Sequence, residues 1–116
     1  MKMELICKTN FDAAHKLEGY NGACANLHGH RWNVEFRVTS DKLMLDEIGM
    51  LVDFKKLKDL TKAFDHTYLN QIFAENPTAE NLAIFFQMKA KKLVPKECKV
   101  SVKIFETLEN SVEVSD

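Results

Sequence analysis

The residues of this chain best suited to chemistry lie in Cys24-Ala25-Asn26-Leu27-His28-Gly29-His30, a thiol followed by two histidines spaced i, i+2. On an extended backbone that spacing turns both imidazoles to one side, and the glycine between them allows close approach of a ligand or a second backbone. Zinc ligation needs neutral imidazole nitrogens about 2.1 Å from a common point. A third donor is available in Phe11-Asp12-Ala13-Ala14-His15, where a strand-like stretch ends in a histidine flanked by small residues. Three histidines with one open position are the ligand count of a catalytic zinc, whereas a closed set of four marks a structural one. An isolated His-x-His is commonly a pair of surface residues, but three of the four histidines here fall between positions 15 and 30. His15, His28 and His30 are therefore read as ligands of a Zn2+ ion. Cys24 stays open at this level, as a fourth ligand, an inert buried thiol, or a nucleophile or base beside the metal.

The elements that must carry these residues can be read from periodicity. Residues 4–11 alternate, with Leu5, Cys7, Thr9 and Phe11 on one face, and the phase continues to Ala13 and His15. A second strand follows from His30, with Trp32, Val34, Phe36 and Val38 on the apolar side and His28 and His30 in phase with it. The metal ligands thus fall at one end of two strands that can pair as a wide hairpin. Asp41 to Gly49 reads as a loop. Asp53 is placed to cap a helix over Phe54–Phe64, in which Phe54, Leu57, Leu60 or Thr61, and Phe64 share a stripe opposite a lysine-rich solvated face. Thr78 caps a second helix with Glu80 in its first turn, an apolar stripe of Leu82, Phe85, Phe86 and Leu93, and a stop at Pro95. Residues 97–106 alternate again, and Val112 and Val114 mark a last short strand. The order is β-β-α-α-β-β, an α+β fold with an antiparallel sheet and both helices on one face.

Glu106 is the irregular position. It continues the face of Cys98, Val100, Val102 and Ile104, where a fifth apolar residue would be in phase. A carboxylate there either emerges into solvent at the strand end or is paired in a buried site. In the second case it is suited to accept two hydrogen bonds from an amidine-like ligand edge, as it does from arginine.

The 116 residues suffice for one domain, 1–116, but are few for an enclosed active site, so a neighbouring subunit is expected to supply walls and to cover free strand edges. A net charge of −1 with interspersed signs points away from nucleic acid and anionic membranes. No apolar run approaches the roughly 20 residues that span a bilayer, and the N-terminus leads directly into strand alternation, so a cytoplasmic protein without a membrane partner is expected. Three cysteines without regular spacing fit reduced thiols.

Six segments in register, namely Phe11-Asp12-Ala13-Ala14-His15, Cys24-x-x-x-His28-Gly29-His30, Gly49-Met50-Leu51-Val52-Asp53-Phe54, Asp65-His66-x-x-Leu69-Asn70, Asn76-Pro77-Thr78-x-Glu80-Asn81 and Glu106-Thr107, resemble the 6-pyruvoyl-tetrahydropterin synthase superfamily almost end to end. The three-residue gap between Cys24 and His28 is similar to its 6-carboxy-5,6,7,8-tetrahydropterin synthase branch. The resemblance implies the tunnelling fold, in which subunits form an oligomeric barrel from trimers, here expected as a hexamer, with active sites between neighbours. It implies that His15, His28 and His30 hold zinc, that Cys24 is the catalytic thiol with Asp65 and His66 as its proton relay, and that Glu106 anchors the pterin with support from Thr78 and Thr107. Lys16 and Arg31 are triphosphate contacts by adjacency alone.

The substrate implied by the resemblance is 7,8-dihydroneopterin triphosphate, and the products are 6-carboxytetrahydropterin, acetaldehyde and triphosphate, feeding queuosine or other 7-deazaguanine synthesis. A 6-pyruvoyl-tetrahydropterin synthase or promiscuous pterin lyase is the neighbouring alternative. The alternative of another class is a non-catalytic, zinc-stabilised interaction module in which Cys24 closes a four-ligand site.

Overall fold

The computed structural model describes residues 1–116. Strand β1 (Met3–His15) pairs antiparallel with β2 (His28–Ser40) along its whole length, so that His15 lies opposite His28 and Phe11 opposite Trp32. Helix α1 (Phe54–Lys62) follows, then strand β3 (Thr67–Tyr68) and one helical turn, α2 (Leu69–Ile72). Helix α3 (Ala79–Lys91), β4 (Lys99–Phe105) and β5 (Ser111–Ser115) complete the chain. The sheet order is β3-β1-β2-β4-β5. All pairings are antiparallel except the two-residue parallel contact of β3 with Ala13 and Ala14 of β1. Beyond those two residues β3 leaves the outer edge of β1 uncovered.

The predicted strand phases hold. Cys7, Phe11, Ala13 and His15 of β1, Trp32, Val34, Phe36 and Val38 of β2, and Val100, Val102 and Ile104 of β4 are buried against the helices. Leu57, Leu82 and Phe86 meet them from above, and Phe11 lies near-parallel to Trp32 with ring centroids 6.0 Å apart. Burying this apolar set is the main favourable contribution to the fold.

Both expected helix caps form. The Asp53 carboxylate accepts from the Lys55 amide and the Thr78 hydroxyl from the Asn81 amide, each satisfying an otherwise unpaired helix N–H. The first helix ends two residues earlier than its apolar spacing predicts. Phe64 lies in the turn after α1 and still reaches the core, whereas Phe54, expected on the buried stripe, is about half exposed. β3 and α2 are additions to the predicted order, too short to leave a period in the sequence. Leu93 packs on the core from beyond the end of α3. No helix is long and apolar enough to cross a membrane.

Candidate metal centre

The long register of β1 against β2 determines the site. Because His15 faces His28, and His30 is two residues further on the same side, their three imidazoles meet at one end of the hairpin, with ligand nitrogens all within 4.8 Å of one another. The ring centroids of His15 and His28 are 4.5 Å apart, and those of His28 and His30 4.8 Å. Trp32 forms the floor, edge-on to His15 at 5.0 Å and to His30 at 5.4 Å.

Backbone carbonyls orient two of the rings. Nδ1 of His15 lies 2.8 Å from the Pro77 carbonyl, and Nδ1 of His28 lies 2.7 Å from the Asn26 carbonyl. Since a carbonyl only accepts, Nδ1 carries the proton in each, and Nε2 is left with its lone pair toward the centre. The two Nε2 atoms then stand 2.9 Å apart, two acceptors facing one another, while the buried Nε2 of His30 has no hydrogen-bond partner. Two converging nitrogen acceptors beside a third, unpartnered imidazole nitrogen fit a cation, and neutral imidazoles suit zinc.

Burial pushes the pKa of His15 below the ordinary histidine value, against the opposing influence of the Pro77 carbonyl. Burial does the same to His30, against the nearby Glu106 carboxylate. Both rings are thereby kept neutral, as ligation requires. The sign of the stability effect follows. A histidine depressed in the folded state binds fewer protons than in the unfolded chain, so its contribution is complete above about pH 6.5 and lost as pH falls below it. The metal-free protein is therefore expected to melt at progressively lower temperature as pH is lowered from about 7.5 to 5.5. The depressed carboxylates of Asp12 and Asp65 leave this window unaffected, because they are ionised in both states there. A melting temperature constant across the window, read by circular dichroism, contradicts the expectation.

Glu106 stands just beyond β4 with its side chain about one-quarter exposed, neither buried nor free in solvent. Its two carboxylate oxygens lie 3.8 Å from Nε2 of His15 and of His30. It forms the ridge between a cleft of about 400 Å³ that includes Leu17, Thr78, Glu80 and Asn110, and one of about 450 Å³ that includes His30, Arg31 and Thr107. The Thr78 hydroxyl accepts the Asn81 amide, and that of Thr107 accepts the amides of Glu109 and Asn110. Each hydroxyl keeps its own proton available to a ligand.

Cys24 lies in a short 3₁₀ turn, Ala23–Ala25, partly buried, and its sulfur is outside the histidine cluster. Cys7 and Cys98 are buried core residues. Asp65 and His66 form a second group with Asp12 at the outer edge of β1. Asp65 accepts the Asp12 amide at 2.9 Å, pairs with Nδ1 of His66 at 2.9 Å, and has its pKa lowered chiefly by that backbone bond and then by the imidazole. The His66 amide donates to the Asp12 carbonyl at 2.6 Å, holding His66 at a left-handed φ of 57°, a conformation that non-glycine residues rarely adopt. The His66 side chain is 80% exposed. Arg31 is engaged through two hydrogen bonds by Asp12, the residue directly opposite it across the hairpin. Lys16 keeps an ammonium group only 3.8 Å from Glu18. Two contributors escaped sequence reasoning, the carbonyls of Asn26 and Pro77. A backbone acceptor has no side-chain signature, and only the motif around Asn76-Pro77-Thr78 hinted at the second.

Comparison with known proteins agrees with this geometry. Residues 4–116 match the family model described as 6-pyruvoyl tetrahydropterin synthase. A 6-carboxy-5,6,7,8-tetrahydropterin synthase of Rickettsia bellii is 31% identical across 92% of this chain and 96% of its own. A dihydroneopterin monophosphate aldolase of Pyrococcus furiosus is 34% identical across 98% of each. The solved 6-pyruvoyl tetrahydropterin synthase of Caenorhabditis elegans superposes with a TM-score of 0.74 at 26% identity, covering 100% of this chain and 96% of that one. With the strand order, the histidine cluster and the match over nearly the full length in agreement, the chain belongs to the 6-pyruvoyl tetrahydropterin synthase family.

Proposed function

We propose that the chain, as a single domain over residues 1–116, is a zinc-dependent lyase that converts 7,8-dihydroneopterin triphosphate and water to 6-carboxy-5,6,7,8-tetrahydropterin, acetaldehyde and triphosphate. The observation that carries the reading is the convergence of three unsatisfied imidazole nitrogens beneath a carboxylate between two clefts. His15, His28 and His30 would hold the metal, which when bound supplies Lewis acidity toward the substrate's side-chain hydroxyls and so acidifies the adjoining C–H. Cys24 is the base that takes that proton. His66, oriented by Asp65, is assigned the part of relaying the proton onward from the thiol. Glu106 accepts the N–H donors of the pterin's amidine-like edge, and Thr78 and Thr107 donate their hydroxyl protons to its acceptors.

Asp65 and His66 sit at the sheet edge, in a group separate from the trio. In this reading the protein is a homo-oligomer, trimer-based and hexameric, in which the edge of one chain brings His66 to the thiol loop of another. The reading places the protein in the cytoplasm, supplying a precursor of queuosine or related 7-deazaguanine modification.

A second reading is favoured by the Pyrococcus relative, whose name makes it an aldolase acting on dihydroneopterin monophosphate. Both reactions begin with side-chain proton removal beside a polarised oxygen and break a side-chain carbon–carbon bond, and they differ in whether the phosphate chain is also expelled. Mass spectrometry of products from the triphosphate and the monophosphate decides between them. Carboxypterin and acetaldehyde from the triphosphate are expected. A pyruvoyl pterin without carbon–carbon cleavage returns the chain to the 6-pyruvoyl reaction, aldol cleavage of the monophosphate to the second reading, and no product from either to a non-catalytic zinc module.

Glu106→Gln is expected to keep the fold and the metal while weakening binding of a non-reactive pterin such as biopterin by about 2–4 kcal/mol, because the amide loses the charge and offers a donor where an acceptor is needed. Calorimetric titration measures it. Unchanged affinity removes Glu106 from the pterin site, and loss of metal with retained pterin affinity makes it a ligand instead.

A further inference from the structure

Just past the end of β1, two side-chain amides grip the backbone that leads from His15 toward the thiol loop. Asn70 accepts the Lys16 N–H at 3.0 Å and donates to the Lys16 carbonyl at 2.9 Å. Asn76 does the same to Glu18, at 3.0 and 3.1 Å. Leu17 lies between them, and its N–H donates to the Cys24 carbonyl at 2.9 Å. Lys16, Leu17 and Glu18 are thus bonded like a strand between two neighbours, except that one neighbour consists of carboxamides. The Asn76 carbonyl accepts from the Asn81 side chain at 2.9 Å in the first turn of α3, and the next carbonyl, that of Pro77, is the one that orients His15. One short segment therefore controls both a ring of the histidine trio and the backbone to which the thiol loop is tied.

We propose that Asn70 and Asn76 are positioning residues for Cys24, holding the backbone of Lys16–Glu18 in place so that the bond from Leu17 to Cys24 fixes the thiol loop beside the three histidines. An amide is the side chain for this task, since it presents a donor and an acceptor in one plane, matching the peptide group it replaces. Aspartate keeps the acceptor but loses the donor and sets a negative charge against a carbonyl oxygen. The predicted effect on turnover rests on Cys24 acting as the base, but the geometry of the clamp does not.

The test uses the metal-loaded oligomer as wild type, Asn70→Asp, Asn76→Asp and Asn76→Ala. Three quantities are measured: amide hydrogen exchange at Leu17, the rate of Cys24 alkylation by iodoacetamide read on its peptide, and kcat and KM on the pterin substrate. In wild type the Leu17 amide is expected to be protected. In the variants, metal content should be retained, Leu17 should exchange about tenfold faster or more, the alkylation rate of Cys24 should shift several-fold, and kcat should fall by about tenfold or more with little change in KM. A purely structural loss would lower the yield of folded protein without separating kcat from KM. The aspartate variants differ least from asparagine in size and carry the test if the alanine variant fails to fold. An unprotected Leu17 amide in wild type overturns the proposal without any variant. Wild-type rates of both Leu17 exchange and Cys24 alkylation in folded variants also overturn it. A shift in those two rates in a protein whose wild type turns over no pterin upholds the clamp and removes the lyase reading instead.

Discussion

Replacing His15 with alanine is expected to abolish the proposed zinc binding while leaving the protein folded. His15 is fully buried, its Nδ1 is held by the Pro77 carbonyl, and its Nε2 stands 2.9 Å from that of His28. Removing the ring deletes one of three donors and leaves a void over Trp32. Disturbing a partner that only orients a ligand already costs about 10- to 100-fold in affinity, so deleting the ligand should exceed a hundredfold. His28→Ala and His30→Ala should behave alike. The domain should survive because its core, from Phe11 and Trp32 through Leu82 and Phe86 to Ile104, is assembled from side chains that make no use of the ion. This differs from small zinc modules, whose folding free energy is the binding free energy. Metal analysis after dialysis against a chelator, paired with circular dichroism, measures both parts. Full zinc in any one variant removes that histidine from the site, and unfolding of a metal-free variant makes the zinc structural.

Cys24→Ala is expected to retain the metal and lose about 10²- to 10⁴-fold in turnover, the usual contribution of a positioned base. The thiol lies outside the histidine cluster, so its removal does not reduce the donor count. His66→Ala should be similarly impaired. Because His66 projects from the edge of β1 with its side chain largely exposed, mixing the two inactive proteins should restore part of the activity, by building some sites with an intact thiol from one chain and an intact imidazole from another. Subunit exchange followed by a turnover assay and light scattering tests it. Full activity of Cys24→Ala removes the base assignment. No recovery in mixtures that have demonstrably exchanged subunits places both groups in one chain's site, and a fully active monomer contradicts the shared site altogether.

Local sequence determined the faces of the elements. Burial of one side of a strand repeats every second residue, so the alternation through Phe11 to His15 and from His28 to Val38 was enough to put three histidines in phase with the core. The caps at Asp53 and Thr78 were equally legible, because an N-cap satisfies helix N–H groups within three residues of itself. Periodicity carries no information on which residue of one strand meets which of another. Only the tertiary structure sets His15 opposite His28, and the same register sets Arg31 opposite Asp12, with which it forms an ion pair. The phase of Glu106 was evident as an irregularity, but its place over the histidines depends on β4 lying beside β2, strands far apart in the sequence. β3 and α2 were hidden because two and four residues are too few to show a period. The amide clamps of Asn70 and Asn76 and the carbonyls of Pro77 and Asn26 were hidden for a deeper reason. They act on backbone groups that every residue possesses, so their partners are chosen by position in space and leave no mark in the identity of the residues they hold.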